Sequence, residues 1–125
     1  MTIPKLVVRV VLARDGGRCV LRLPGCLGVA TVADHRANRG AGGSKVLNDP
    51  ACLIAACELC NGAKEDAHGE HLARLRLFGL RVLKAATNAA TVTRCRDTPV
   101  TYPDGTVWKL NSDGSREQQF QDPPF

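Results

Sequence analysis

Between Pro4 and Asp15 the apolar residues fall in two triplets, Leu6-Val7-Val8 and Val10-Val11-Leu12, split by Arg9. With a proline in the first turn and Gly16-Gly17 as a stop, the segment predicts a helix. Its valine content also permits a strand. The stretch CVLRLPGC (19–26) reads as a turn, folded back at Pro24-Gly25. VATVADH alternates and is β-branched, which predicts a strand leading to Asp34 and His35. The glycine- and asparagine-rich RANRGAGGSKVLNDP that follows is a loop ended by Asp49-Pro50, and ACLIAAC is a second strand or the approach to one. A helix is expected from near Asn61 to about Phe78, stopped by Gly79, with Leu72, Leu75 and Leu77 on or near one face. PVTYPDGTVWKL predicts a hairpin around Pro103-Asp104-Gly105. The closing NSDGSREQQFQDPPF is polar enough to read as frayed or disordered. No internal repeat is visible.

A chain of 125 residues is expected to form one compact domain. No apolar run approaches the roughly 20 residues that span a bilayer, and Met1 to Val11 lacks a signal-peptide cleavage pattern. The expected compartment is therefore a reducing cytoplasm. There, six cysteines are metal ligands or free thiols rather than disulfides.

Charge is distributed unevenly. Residues 1–50 carry eight Lys/Arg against three Asp, residues 61–96 seven against three acids, and the last 29 residues two against five. A positive body with an acidic tail favours a polyanionic partner, and no basic amphipathic helix is present to favour a membrane. Aromatics at 4% argue against a platform that stacks single-stranded bases.

Four cysteines carry the candidate chemistry. Cys57 and Cys60 form a C-x-x-C half-site at a helix start, and Cys19 and Cys26 a wider one that the Pro24-Gly25 turn can close. Four thiolates suit a tetrahedral Zn²⁺. Cys52 is expected in the core, and Cys95 as a free thiol near the start of the tail. Asp34, His35 and Asn61 offer oxygen and imidazole groups of a harder kind, suited to a divalent ion and a general base. Two ligand sets of different softness imply two sites.

The order strand, Asp-His, glycine-rich loop, strand, C-x-x-C-N-x-x-K and helix resembles the HNH endonuclease family from about Arg14 to Lys64, roughly half the chain. The likeness includes RDGGRC, VADHR, GGS, NDPACLIAACELCN and Lys64. The flanks, with the PVTYPDGTVWKL hairpin, look like small HNH proteins of actinobacterial phages. The resemblance implies an α+β fold: a small ββα-metal (HNH, His-Me finger) core stapled by a four-cysteine zinc site, with an N-terminal helix and a C-terminal β-hairpin. It divides the chain into a nuclease domain at 1–86, a hairpin extension at 87–112 and a disordered tail at 113–125.

By the same resemblance His35 is the general base, while Asp34 and Asn61 hold a catalytic Mg²⁺ or Mn²⁺. The implied activity is hydrolysis of phosphodiester bonds in duplex DNA, in phage DNA processing beside the terminase, within the host cytoplasm. Lys64 and Arg39 are candidate phosphate contacts or solvated charges. Glu65, one turn after Asn61, is a reserve ligand. His68 would share the helical face of Asn61, although His68 and His71 both read as solvent-facing. Gly40, Gly42 and Gly43 could let the loop approach a phosphate backbone. One position departs from the family. Its middle Asn, a clamp for the loop carrying the base, falls on Cys52, so Asn48 or a backbone group must take that role or activity is weakened. The alternatives are a zinc-binding DNA-interaction module that has lost catalysis, and a structural zinc-knuckle adaptor.

Overall fold

The computed structural model describes residues 2–38 and 45–120; Arg39, Gly40, Gly42 and Gly43 lie outside them. Its first element is helical. In α1 (Lys5–Arg14), Val11 is buried, with Val7, Val8 and Leu12 packed beside it on one face. This 3.6-residue spacing overrides the strand preference of valine. The stop is the expected one. Gly16 and Gly17 take φ of 69° and 70°, and their N–H groups donate to Ala13 O and Leu12 O, which closes the helix in a Schellman arrangement.

Strands β1 (Val32–His35) and β2 (Leu53–Ala56) pair antiparallel, with Asp34 opposite Ile54 and His35 opposite Leu53. The first half of ACLIAAC is not strand, because Pro50–Cys52 forms a 3-10 turn capped by the Asp49 side chain. A second such turn, Val46–Asn48, precedes it. Helix α2 (Glu58–Lys64) follows β2 and packs on β1.

The single helix expected from Asn61 to Phe78 is two helices. α2 ends before Glu65, and α3 (Gly69–Leu77) opens on Gly69 at φ 58°. His68 is the N-cap of α3 and so does not share the helical face of Asn61. Of the three leucines, Leu75 is buried, Leu72 half-buried and Leu77 exposed. Gly79 ends α3 at φ 72°, where a Cβ would lie 2.0 Å from Pro99 O, so only glycine fits.

Helix α4 (Asn88–Asp97), capped by Thr87, was not foreseen. The expected hairpin forms as β3 (Val100–Thr101) and β4 (Val107–Leu110). Arg116–Gln119, assigned above to a disordered tail, adds β5 to the free edge of β4, giving the order β3-β4-β5. The result is a small α+β structure with four α-helices and two antiparallel sheets among the described residues. None of these helices is long and apolar enough to cross a membrane.

Arg36, fully buried directly after His35, joins these parts. Its guanidinium donates to Gly79 O, Ala51 O, Cys95 O and Thr98 O at 2.7–2.8 Å. A buried charge costs several kcal/mol unless its donors are satisfied. Four carbonyl oxygens satisfy them here, and the same bonds tie the end of α3, the Pro50–Cys52 turn and α4 to the strand that carries His35.

Cys52 lies in the core, as expected, but Cys95 is not near a loose tail. Both are fully buried in a small cluster with Ala37, Leu47 and Val82. A hydrogen bond to Cys95, together with burial, pushes the Cys52 thiol up. The same bond and the nearby Arg36 charge draw Cys95 down to about 7, although burial opposes this. Cys52→Asn is therefore expected to lose about 1–3 kcal/mol of stability, the cost of a buried amide without partners. Cys52→Ala should lose less. Urea denaturation of both variants checks this, and an Asn variant as stable as the parent would show that the position accepts an amide.

Candidate functional site

Cys19, Cys26, Cys57 and Cys60 converge: their Sγ atoms all lie within 4.8 Å of one another, and Cys26 and Cys57 are 4.0 Å apart. A disulfide needs about 2.05 Å, and all six cysteines are free. A tetrahedral ion with metal–sulfur bonds of about 2.3 Å sets sulfur–sulfur edges near 3.8 Å, close to this spacing. The backbone is arranged for negative sulfur. Cys57 is the N-cap of α2, its Sγ accepting from Cys60 N at 3.3 Å and Leu27 N at 3.5 Å; Gly28 N donates to Cys26 Sγ at 3.4 Å. Burial opposes the Cys57 thiolate, but the Leu27 and Cys60 N–H groups, with bonds from the Cys60 and Cys19 thiols, outweigh it and bring the thiol down to about 6. These four residues could hold a metal ion. Cys52 and Cys95 stand outside the cluster.

Where β1 ends against α2 there is a cleft of about 320 Å³, whose lining includes Asp34, His35, Asn61, Lys64, Glu65 and Arg81. The first four are brought together from β1 and α2 as their order in the sequence suggested. Asp34 is buried and His35 half-exposed. His35 Nε2 lies 2.9 Å from Asn48 Oδ1. A carbonyl oxygen only accepts, so the ring donates from Nε2, and the neutral imidazole carries its lone pair on Nδ1. Asn48 is thus a side chain that holds the His35 ring. It reaches His35 because the Val46–Asn48 turn folds back beside β1.

Lys64 is not a solvated charge: its ammonium is buried, 2.5 Å from Asp34 Oδ2, and also donates to His35 O. Burial pushes the Asp34 carboxyl up and the Lys64 amine down, and their mutual attraction opposes both shifts. The lysine therefore holds both the carboxylate and the main chain of the candidate base. Arg81, which no motif singles out, also enters the cleft, half-exposed and anchored by donation to Lys64 O at 3.3 Å. Glu65 is in the cleft. His71 is exposed on α3, and neither it nor His68 lines the cleft.

Asp34, Asn61 and Glu65 give carboxylate and amide oxygens of the kind a hard divalent ion such as Mg²⁺ or Mn²⁺ takes. The charge around them constrains its binding. Two carboxylates, Asp34 and Glu65, stand beside two cations, Lys64 and Arg81. A divalent ion alone would make the cleft net positive, and a bound anion would supply the missing negative charge. Mg²⁺ commonly binds in this way, through one or two carboxylates together with substrate phosphate. No protein-family model, curated protein or solved structure matches this chain.

Proposed function

We propose that the protein is a metal-dependent DNA endonuclease of the HNH type, with a structural Zn²⁺ on Cys19, Cys26, Cys57 and Cys60. The observation that carries this reading is the imidazole of His35, held at Nε2 by Asn48 and placed in one cleft with Asp34 and Asn61. With Nε2–H committed to Asn48, Nδ1 is the atom that takes the proton from the attacking water. Asp34 and Asn61 would hold the divalent ion, with Glu65 in reserve. When bound, that ion supplies charge neutralisation at the phosphate and at the departing 3′ oxygen. Arg81 meets the phosphate directly. Lys64 favours the ionised form of Asp34 against the burial that pushes its carboxyl up, and keeps the His35 main chain in place.

A second reading rests on the Lys64–Asp34 pair. An ammonium already neutralises the carboxylate that should hold the ion, which suits a zinc-stapled DNA-binding module without catalysis. Supercoiled plasmid separates the two. The nuclease reading expects nicking only when Mg²⁺ or Mn²⁺ is added, by protein that retains one zinc per chain. Binding of the plasmid with no nicking in either ion would leave the module.

A further inference from the structure

Away from the cleft, two grooves of about 440 and 420 Å³ meet at Arg22, Tyr102 and Pro103. Neither shares a residue with the candidate catalytic cleft. Five arginines line them; Arg14 is spent on Asp15, Pro50 O and Leu53 O, which leaves four, Arg18, Arg22, Arg74 and Arg116. Three are held in place by the fold. Arg22, at φ 51°, donates Nε–H to Cys19 O at 3.0 Å. Arg74 donates one N–H to Leu21 O at 3.0 Å and lies over the Phe78 ring. Arg116 stacks 3.8 Å above the Trp108 ring and 4.7 Å above that of Tyr102. Each keeps further guanidinium N–H groups with no protein acceptor among the described residues.

The neighbouring acids do not balance them. Asp15 is spent, accepting from Arg14, Tyr102 Oη and Ala55 N. Asp104, at the rim, accepts from Thr106 Oγ1 and Thr106 N, which hold its carboxyl below the usual range, and it offsets only one of the four remaining cations. The only tryptophan and the only tyrosine of the chain are covered by Arg116, so these rings position a cation instead of stacking bases.

Flexible surface arginines lose side-chain entropy on meeting a ligand, whereas anchored ones have lost part of it already. Guanidinium forks also match phosphate oxygens two at a time. We infer that these adjoining grooves are a second binding surface for the phosphodiester backbone of duplex DNA, separate from the catalytic cleft and reading no sequence. The inference rests on the nuclease reading for its biological partner but is tested by binding alone.

The test is fluorescence anisotropy of a labelled DNA duplex across a salt series, with no divalent ion, for the full chain and for Arg18→Gln, Arg22→Gln and the double variant. Arg96→Gln, an exposed arginine of α4 outside both grooves, is the charge-matched control. Each phosphate contact removed is expected to lower the slope of log K against log salt by about 0.9, and the double variant to bind about tenfold or more weakly. The control should keep the parental slope. Zinc content and circular dichroism verify folding, and Arg22→Lys, which keeps the charge, should retain more affinity than Arg22→Gln. Groove variants with the parental slope, an equal loss in Arg96→Gln, or a parent that binds no duplex would each overturn the inference. If the groove variants behave as expected while plasmid stays intact in Mg²⁺ and Mn²⁺, the nuclease reading fails and this surface stands.

Discussion

Stripping zinc from the proposed four-cysteine site is expected to unfold the whole chain. Cys19 and Cys26 sit in a stretch without regular secondary structure between α1 and β1, tied to the rest by scattered bonds such as Val20 N to Ala55 O and Thr31 N to Ala56 O. Cys57 and Cys60 start α2, which carries Asn61 and Lys64. The cluster thus joins the irregular segment to the helix that builds the cleft, while β1 and β2 offer only four residues each. Structural zinc contributes about 10–16 kcal/mol in small metallo-peptides, and a domain of this size has about 5–15 kcal/mol in total. The first term covers the second. Chelated protein, or Cys57→Ser, should lose its cooperative thermal transition by circular dichroism, and zinc should restore it to the chelated protein. Protein shown by elemental analysis to be metal-free, yet melting as before, would remove zinc from the account of stability.

The sequence was legible where a local signal and the tertiary environment agree. Gly16-Gly17 stops α1, and Pro103-Asp104-Gly105 turns β3 into β4, because glycine or turn chemistry decides those conformations nearly alone. The same Asp-Gly signal recurs at Asp113-Gly114, but Arg116–Gln119 has no apolar residue to mark a strand. What holds β5 is long-range: ladder bonds to β4 and the stacking of Arg116 on Trp108 and Tyr102. Helix α4 escaped notice because NAATVTRCRD is rich in β-branched residues and weakly patterned; it is fixed by the Thr87 cap and by Arg36 reaching from β1.

At the site, spacing brought out Asp34, His35, Asn61 and the four cysteines, since residue order survives in sequence. Burial does not. The C-x-x-C-N-x-x-K string names Lys64 but gives no hint that its ammonium turns inward to Asp34. Asn48 could be suspected only because Cys52 is a poor amide substitute. The turn that delivers it to His35 lies 13 residues away, and no local pattern encodes the contact.

His35→Ala is expected to lower the cleavage rate by about 10²–10⁴-fold, the usual contribution of a positioned general base. Folding, zinc content and duplex affinity should survive, because a base acts on the reaction more than on ground-state binding. The structural cost is bounded. Loss of the bond to Asn48, which is itself 8% exposed, removes about 1–3 kcal/mol, less than the stability of a typical domain. Asn48→Ala is the informative companion. It keeps the imidazole but removes the bond to Nε2, and it should cost about 10–100-fold in rate, as removal of an orienting partner does elsewhere. Asp34→Ala and Asn61→Ala differ in kind, raising the Mg²⁺ or Mn²⁺ concentration needed as well as lowering the rate. Single-turnover nicking of supercoiled plasmid across an ion series separates these outcomes. A His35→Ala protein that nicks at the parental rate, free of contaminating nuclease, would mean that water is activated by another group and that the Asn48–His35 pair is structural.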